Sequence, residues 1–88
     1  MIFITLAKFK TKPTKESTAR ADKLFEEGAK SGVRAIGTYW TLGRYDAVRI
    51  IEAPDEKTAM KAALALADIV STETLVALKR EDAVKLLA

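Results

Sequence analysis

The sequence predicts an α+β fold in which a four-stranded antiparallel sheet carries two helices on one face. Apolar residues recur at strand spacing along four segments, and two stretches between them place apolar residues at helical spacing. A glycine in the middle of the chain, Gly43, separates two of the strands closely enough for a hairpin. The resulting order is βαββαβ, which is the order of a ferredoxin-like sandwich.

The first half of the chain is predicted to form a strand, a helix and a second strand. Residues 1–9 are apolar on both faces, which is typical of a central strand. Residues 13–31 form a helix whose first turn begins with Pro13 and whose apolar residues follow one stripe. Gly32 suits the left-handed conformation that ends many helices, and residues 33–42 form the second strand.

The second half repeats this pattern after a turn at Gly43 and Arg44. Asp55 is expected to cap the second helix, which is rich in alanine and leucine and can therefore lie close to the sheet. The elements predicted after the turn are a strand at 46–53, a helix at 55–68, a strand at 69–79 and a short terminal helix at 80–87.

Length and composition limit the chemistry that the chain can perform. Its 88 residues are enough for one domain, over residues 1–88, and not for two. It contains no cysteine, which excludes thiolate nucleophiles, disulfides, iron–sulfur clusters and zinc–thiolate sites. It also contains no histidine, so neither a hydrolytic triad nor a transition-metal site is expected. We therefore predict no cofactor and no metal, with a carboxylate site for a hard cation as the remaining formal alternative.

Neither a membrane nor a nucleic acid is expected as a partner. No apolar run approaches the roughly 20 residues that span a bilayer. The start, MIFITLAKF, has its first charge after its apolar residues, so it is typical of a strand rather than a signal peptide, and a cytoplasmic protein is predicted. The lysines between residues 8 and 15 are interpreted as a solvated strand end and helix start, and a patch that binds an anion or a nucleic acid is the alternative. An RNA-recognition sheet needs stacking aromatics on its third strand, and DAVRIIEA has none.

The two faces of the sheet can be assigned from Arg49. With a turn at Gly43 and Arg44, Trp40 and Arg49 point to one side of the sheet and Tyr39 to the other. An unpaired charge beneath a helix is costly, so Arg49 and Trp40 are predicted to lie on the face without helices. That face would then expose a large apolar patch, which monomers usually avoid, so a second subunit is expected to cover it.

Two sheets packed through that face would enclose a cavity lined by Arg49. Glu73, in STETL, is the expected carboxylate partner of Arg49, and a ligand anion is the alternative partner. The candidate ligand-binding residues are Arg49, Tyr39, Trp40, Asp46 and Glu73. Several have structural alternatives: Arg49 as a strand residue whose head reaches water, Trp40 as interface packing, Tyr39 as a core aromatic, and Asp46 as an acceptor in the turn.

The segment YWTLGRYDAVRIIEAPDEKTAMKAALALA, followed by TETLVAL, resembles the GYD domain family. The Gly–Tyr–Asp motif of that family appears here as Gly43, Tyr45 and Asp46, with Arg44 interposed, and EAPDE and TETL also resemble the family. The resemblance implies a ferredoxin-like fold of the dimeric α+β barrel type, and it implies no particular reaction. Arg49 departs from the family pattern, in which this position is expected to be small or apolar.

Two classes of function fit these observations. The first is a binding or regulatory module that forms a homodimer or a larger oligomer. It would use the helix-free face of the sheet to bind a small anionic or aromatic ligand. The alternative is a cofactor-free enzyme acting on an oxygenated or aromatic metabolite in the barrel cavity, with tyrosine, aspartate, glutamate or arginine for proton transfer and charge stabilisation. The sequence does not name the ligand or decide whether there is catalysis.

Overall fold

The computed structural model describes residues 1–87. Within them the chain forms an α+β fold with a four-stranded antiparallel sheet and three helices. The strand order is β2-β3-β1-β4, and every neighbouring pair is antiparallel, which is the topology of a ferredoxin-like sandwich. The elements are β1 (Ile2–Phe9), α1 (Lys15–Lys30), β2 (Arg34–Trp40), β3 (Ala47–Glu52), α2 (Glu56–Ala65), β4 (Val70–Ala77) and α3 (Arg80–Val84).

Local signals explain where the two long helices begin. Thr14 caps α1: its Oγ1 accepts a hydrogen bond from the Ser17 amide at 3.0 Å, while Ser17 Oγ accepts one from the Thr14 amide at 2.9 Å. Pro13 therefore precedes the cap instead of opening the first turn. Asp55 caps α2, as predicted, because its Oδ1 accepts a hydrogen bond from the Thr58 amide at 2.9 Å.

Two glycines, one after α1 and one in the β2–β3 hairpin, adopt positive φ angles that favour glycine. Gly32 follows α1 with φ of 94°, and Gly43 lies in the β2–β3 hairpin with φ of 113°. The hairpin closes by a hydrogen bond from the Thr41 amide to the Asp46 carbonyl at 2.8 Å. The predicted register of this hairpin is confirmed near the turn, because Trp40 pairs with Ala47 and Tyr39 with Val48; the register shifts only farther along, between Ala35 and Gly37.

The helices cover the opposite face from the one predicted. Phe3 and Ile51 are 2% and 3% exposed, and they share their face with Arg49. The guanidinium carbon of Arg49 lies 3.9 Å from the ring centroid of Phe25 in α1. The prediction that Arg49 and Trp40 lie on the helix-free face is therefore wrong. The rule against buried unpaired charge was applied too strictly, because an aromatic ring and an open cavity accommodate this cation.

The other side of the sheet, here called the helix-free face, is an open aliphatic surface. Ile4 of β1 pairs with Ile50 of β3 on one side and with Leu75 of β4 on the other, so the three side chains form a row across the sheet. None of these side chains is buried, and Leu75 is 42% exposed. The helix-free face comprises Ile4, Leu6, Tyr39, Val48, Ile50, Glu73 and Leu75.

Polar contacts connect α1 and the end of β1 to the C-terminal end of α2. Arg20 of α1 forms a two-pronged ion pair with Asp68, with N–O distances of 2.7 and 3.1 Å. The hydrogen bonds from Arg20 hold the pKa of the Asp68 carboxyl below its usual value. Lys10 Nζ donates to the Ala67 carbonyl at 2.7 Å, near the negative end of the helix. No described residue of α1 is buried, whereas Ala59 of α2 is part of the core, so α1 is the less closely packed of the two long helices.

No helix within residues 1–87 combines the length and the apolar character needed to cross a membrane.

Candidate functional site

A cavity of about 210 Å³ lies between the sheet and the helices α1 and α2. It exists because small side chains face one another on three sides and cannot fill the space between the backbones. The sheet contributes Ala7 and Ala47 to the lining, α1 contributes Ala21, and α2 contributes Ala59 and Ala63. The volume is below the roughly 300–1,000 Å³ typical of sites for drug-sized molecules, so it suits a small metabolite.

Arg49 occupies the sheet side of this cavity and has no polar partner. Its Nε is buried without a hydrogen-bond partner, and no ion pair involves this residue among residues 1–87. Burial lowers the pKa of the Arg49 guanidinium from its ordinary value, although arginine keeps its charge in proteins. The cavity therefore contains a partly desolvated cation whose Nε donor is not paired within residues 1–87.

Hydroxyl groups flank Arg49 on the same face. Thr38 of β2 and Thr5 of β1 pair directly with Arg49, so their side chains point to the same side of the sheet. Thr5 makes a long contact to Thr74, with 3.4 Å between the two Oγ1 atoms. Both Thr5 and Thr38 line the cavity. The site thus combines one guanidinium with neighbouring hydroxyl donors in an otherwise mostly apolar space, an arrangement that can bind an oxyanion.

Two aromatic side chains form one wall of the cavity. Phe9 and Trp40 meet edge to face, with ring centroids 5.3 Å apart and an interplanar angle of 71°. Trp40 is 63% exposed, so it stands where the cavity opens to solvent. Asp22 of α1 also lines the cavity and is exposed. A ligand held by Arg49 would therefore extend along these rings toward the solvent.

A second cavity of about 120 Å³ lies between α1 and α2. The two cavities share four lining residues, which separate the two spaces: Phe25, Arg49, Ala62 and Leu66.

The structure brings only two of the candidate site residues together. Arg49 and Trp40 both line the larger cavity, whereas Tyr39 and Glu73 lie on the helix-free face. Tyr39 folds its ring over Gly37, where an added Cβ would lie 2.7 Å from the ring. Tyr39 is 58% exposed, so its alternative role as a core aromatic is wrong.

The predicted pairing of Glu73 with Arg49 is wrong. Glu73 lies across β1 from Val48, on the side of the sheet opposite Arg49. Its Oε2 instead accepts a hydrogen bond from the Tyr45 hydroxyl at 2.7 Å. That bond is the main reason why the pKa of Tyr45 is raised above its usual value.

The Gly–Tyr–Asp residues act together as a structural clamp. Gly43 provides the turn, and Tyr45 connects the hairpin to β4 through Glu73. Asp46 connects it to β1, because its Oδ2 accepts a hydrogen bond from the Phe9 amide at 2.8 Å. β3 begins only at Ala47, so that amide would otherwise lack a strand partner. Asp46 therefore has a structural role, as its alternative expected, but its side chain accepts from an amide of β1 rather than from the turn.

The candidate residues chosen from the sequence did not include Thr5, Phe9, Asp22, Phe25 or Thr38, although all five line the cavity. Phe25 was identified only as part of the apolar stripe of a helix, and Asp22 as a charged residue of the same helix. The alanines of the second helix were interpreted as allowing close packing, whereas Ala59 and Ala63 leave space instead. The many alanines of this helix indicated that its packing against the sheet is unusual. Whether such small side chains bring the helix close to the sheet or leave a cavity depends on the distance between the two layers.

The described part of the chain, residues 1–87, contains no group of three or more acidic side chains placed to hold a metal ion.

Comparisons with known proteins identify the family and the fold. The sequence model of the GYD domain family matches residues 1–87. The crystal structure of TTHA0845 from Thermus thermophilus is similar to this chain with a TM-score of 0.54 and 22% identity, covering 89% of this chain and 92% of that one. The crystal structure of CutA1 from Pyrococcus horikoshii gives a TM-score of 0.42 and 19% identity, over 99% and 94% of the two chains. No curated protein matches the chain in sequence.

Proposed function

The chain belongs to the GYD domain family, and we propose that it is a self-associating protein that binds a small organic anion in the cavity beneath α1 and α2. The observation that carries this proposal is the buried Nε of Arg49, which has no hydrogen-bond partner among residues 1–87. Phe25 and the open cavity accommodate the charge of Arg49, but they leave this buried donor unpaired, which is costly, so an anionic ligand that accepts its hydrogen bond would remove the cost.

The cavity offers complementary contacts to such a ligand. A carboxylate can accept hydrogen bonds from the guanidinium of Arg49 and from the hydroxyls of Thr5 and Thr38 beside it. The remaining lining is mostly apolar, so it favours an apolar body attached to that carboxylate. The proposed site thus differs from the one expected on the helix-free face, and it retains Arg49 and Trp40 as its ligand-binding residues.

Self-association is the second part of the proposal. The helix-free face exposes Ile4, Ile50 and Leu75 in adjacent rows, and contiguous apolar surface of this kind commonly marks an interface. The molecule is also extended, with a radius of gyration of 13.8 Å against about 12 Å for a compact chain of this length. Packing two such faces together would produce a dimer of the α+β barrel type.

The enzymatic alternative has less support. Tyr39 and the Tyr45–Glu73 pair, which could transfer protons, lie away from the lining of the larger cavity. Among its described lining residues, Arg49 and Asp22 are the ionisable side chains. A cation beside an exposed carboxylate supports binding and orientation more directly than it supports general acid–base chemistry.

The test is a titration with benzoate and hexanoate, followed by the fluorescence of Trp40, the sole tryptophan of the chain. We expect both anions to change the emission because Trp40 lines the cavity. Arg49→Met should weaken binding about 10- to 100-fold, because a charge-assisted hydrogen bond is lost while much of the side-chain volume remains.

Arg80→Met is the matched control, because Arg80 is exposed in α3 and does not line the cavity. It removes the same charge and should leave the affinity unchanged. Equal affinities for the wild-type chain and Arg49→Met, with circular dichroism showing both folded, would refute the proposed role of Arg49.

A further inference from the structure

We infer, on the basis of the proposed function, that the cavity selects small monocarboxylates over phosphate esters of the same size. The inference depends on the charges that line the cavity. Among its described lining residues, Arg49 is the one cation and Asp22 the one anion. Neither forms an ion pair with another residue in 1–87, so both charges are available to a ligand.

The position of Asp22 makes it sensitive to the charge of a ligand. Asp22 lies three residues before Phe25 on α1, which places the two side chains on the same side of the helix. Phe25 stacks on the guanidinium of Arg49, and Asp22 is exposed at the rim of the same cavity. A ligand that reaches Arg49 therefore shares the cavity with the Asp22 carboxylate.

One cation can balance one negative charge. A monocarboxylate bound to Arg49 brings a single charge, and its second oxygen can accept a hydrogen bond from the hydroxyl of Thr5 or Thr38. A phosphate ester brings close to two charges near neutral pH. Its second charge would be placed in a small, mostly apolar space whose other ionised group is also negative, and the repulsion from Asp22 would weaken binding.

The experiment compares benzoate, phenyl phosphate and benzyl alcohol, which share a phenyl ring and differ in charge. Each is titrated at about pH 8, where the ester carries close to two charges, with Trp40 fluorescence as the readout. We expect benzoate to bind the wild-type chain at least about fivefold more tightly than phenyl phosphate, and benzyl alcohol to bind more weakly than benzoate.

Asp22→Asn is the decisive variant, because Asp22 is exposed on α1 and its loss should not affect folding. It should strengthen the binding of phenyl phosphate about fivefold and change that of benzoate much less. The matched control is Glu81→Gln, which makes the same change in net charge on the exposed helix α3 and should preserve the selectivity.

The outcomes separate this inference from the proposed function. If phenyl phosphate binds the wild-type chain as tightly as benzoate does, or if Asp22→Asn leaves the ratio of affinities unchanged, the selectivity is refuted and the anion site stands. If none of the three probes nor hexanoate binds, the proposed function fails and the inference fails with it.

Discussion

At the scale of single residues, the polar side chains of the family motif form hydrogen bonds within the sheet. Asp46 uses its carboxylate on the Phe9 amide, and Tyr45 uses its hydroxyl on Glu73. Neither group faces the larger cavity as a lining residue. Arg49 lies outside the motif, and its buried Nε has no hydrogen-bond partner among residues 1–87. The motif residues therefore connect the strands of the sheet, while the proposed binding role belongs to a residue outside the motif.

Replacing Asp46 should test this separation of roles. Asp46→Ala leaves the Phe9 amide without its acceptor, so we expect the free energy of unfolding to fall by about 1–3 kcal/mol. Asp46→Asn retains a side-chain oxygen and should cost less than Asp46→Ala. Urea denaturation measures both. A chain with alanine here that is as stable as the wild type would show that the hydrogen bond contributes nothing.

The helices and strands explain the cavity. α1 and α2 are held together at one end by the Arg20–Asp68 ion pair, and they rest on a sheet whose facing side chains are mostly small. Exposed ion pairs contribute little to stability, and no described residue of α1 is buried. The helix layer therefore covers the sheet without filling the space beneath it, and the space that remains is available to a ligand.

A larger side chain in the cavity should raise the free energy of unfolding and prevent ligand binding. Ala21→Leu places a larger apolar side chain into the cavity from α1, so we expect a gain of about 1–2 kcal/mol in the free energy of unfolding. The same change should abolish the fluorescence response to benzoate. Ala19→Leu, on the exposed side of the same helix, is the control and should alter neither quantity. A loss of stability in Ala21→Leu would show that the cavity cannot admit the added carbons.

The molecule as a whole exposes apolar side chains on both sides of its sheet. The helices cover β1 and β3, whereas the edge strands β2 and β4 are mostly exposed. A small chain with so little buried surface gains stability when a second copy covers its open face. Its extended dimensions, 49 × 32 × 17 Å, are those of a thin layer.

A charge at the centre of the helix-free face should prevent self-association. Ile50→Glu places a carboxylate there, and we expect sedimentation velocity to show a monomer at concentrations where the wild-type chain is a dimer or larger. Val76→Glu is the control, because Val76 is exposed on the helix-covered side of β4, where it pairs with buried Phe3. If Ile50→Glu sediments like the wild type, the interface lies elsewhere.

Helices, strands and the hairpin register could be read from the residues because their signals are local. Gly43 requires only its own φ angle, Asp55 reaches an amide three residues away, and alternation along β3 sorts side chains into two sets. Alternation does not show which of the two sets the helices cover, because the same alternating pattern results whichever face of the sheet is covered. The sequence alone therefore established the order of the elements and left the two faces interchangeable.

The folded chain resolved that choice through contacts between distant residues. Arg49 lies beneath α1 because Phe25 provides a ring for its guanidinium, and because alanines on α2 leave room beside it. These residues are far apart in the sequence, and neither the stacking nor the cavity is visible in any one segment. A binding site made from unfilled space depends on the distance between layers, which is set by the packing of the whole molecule.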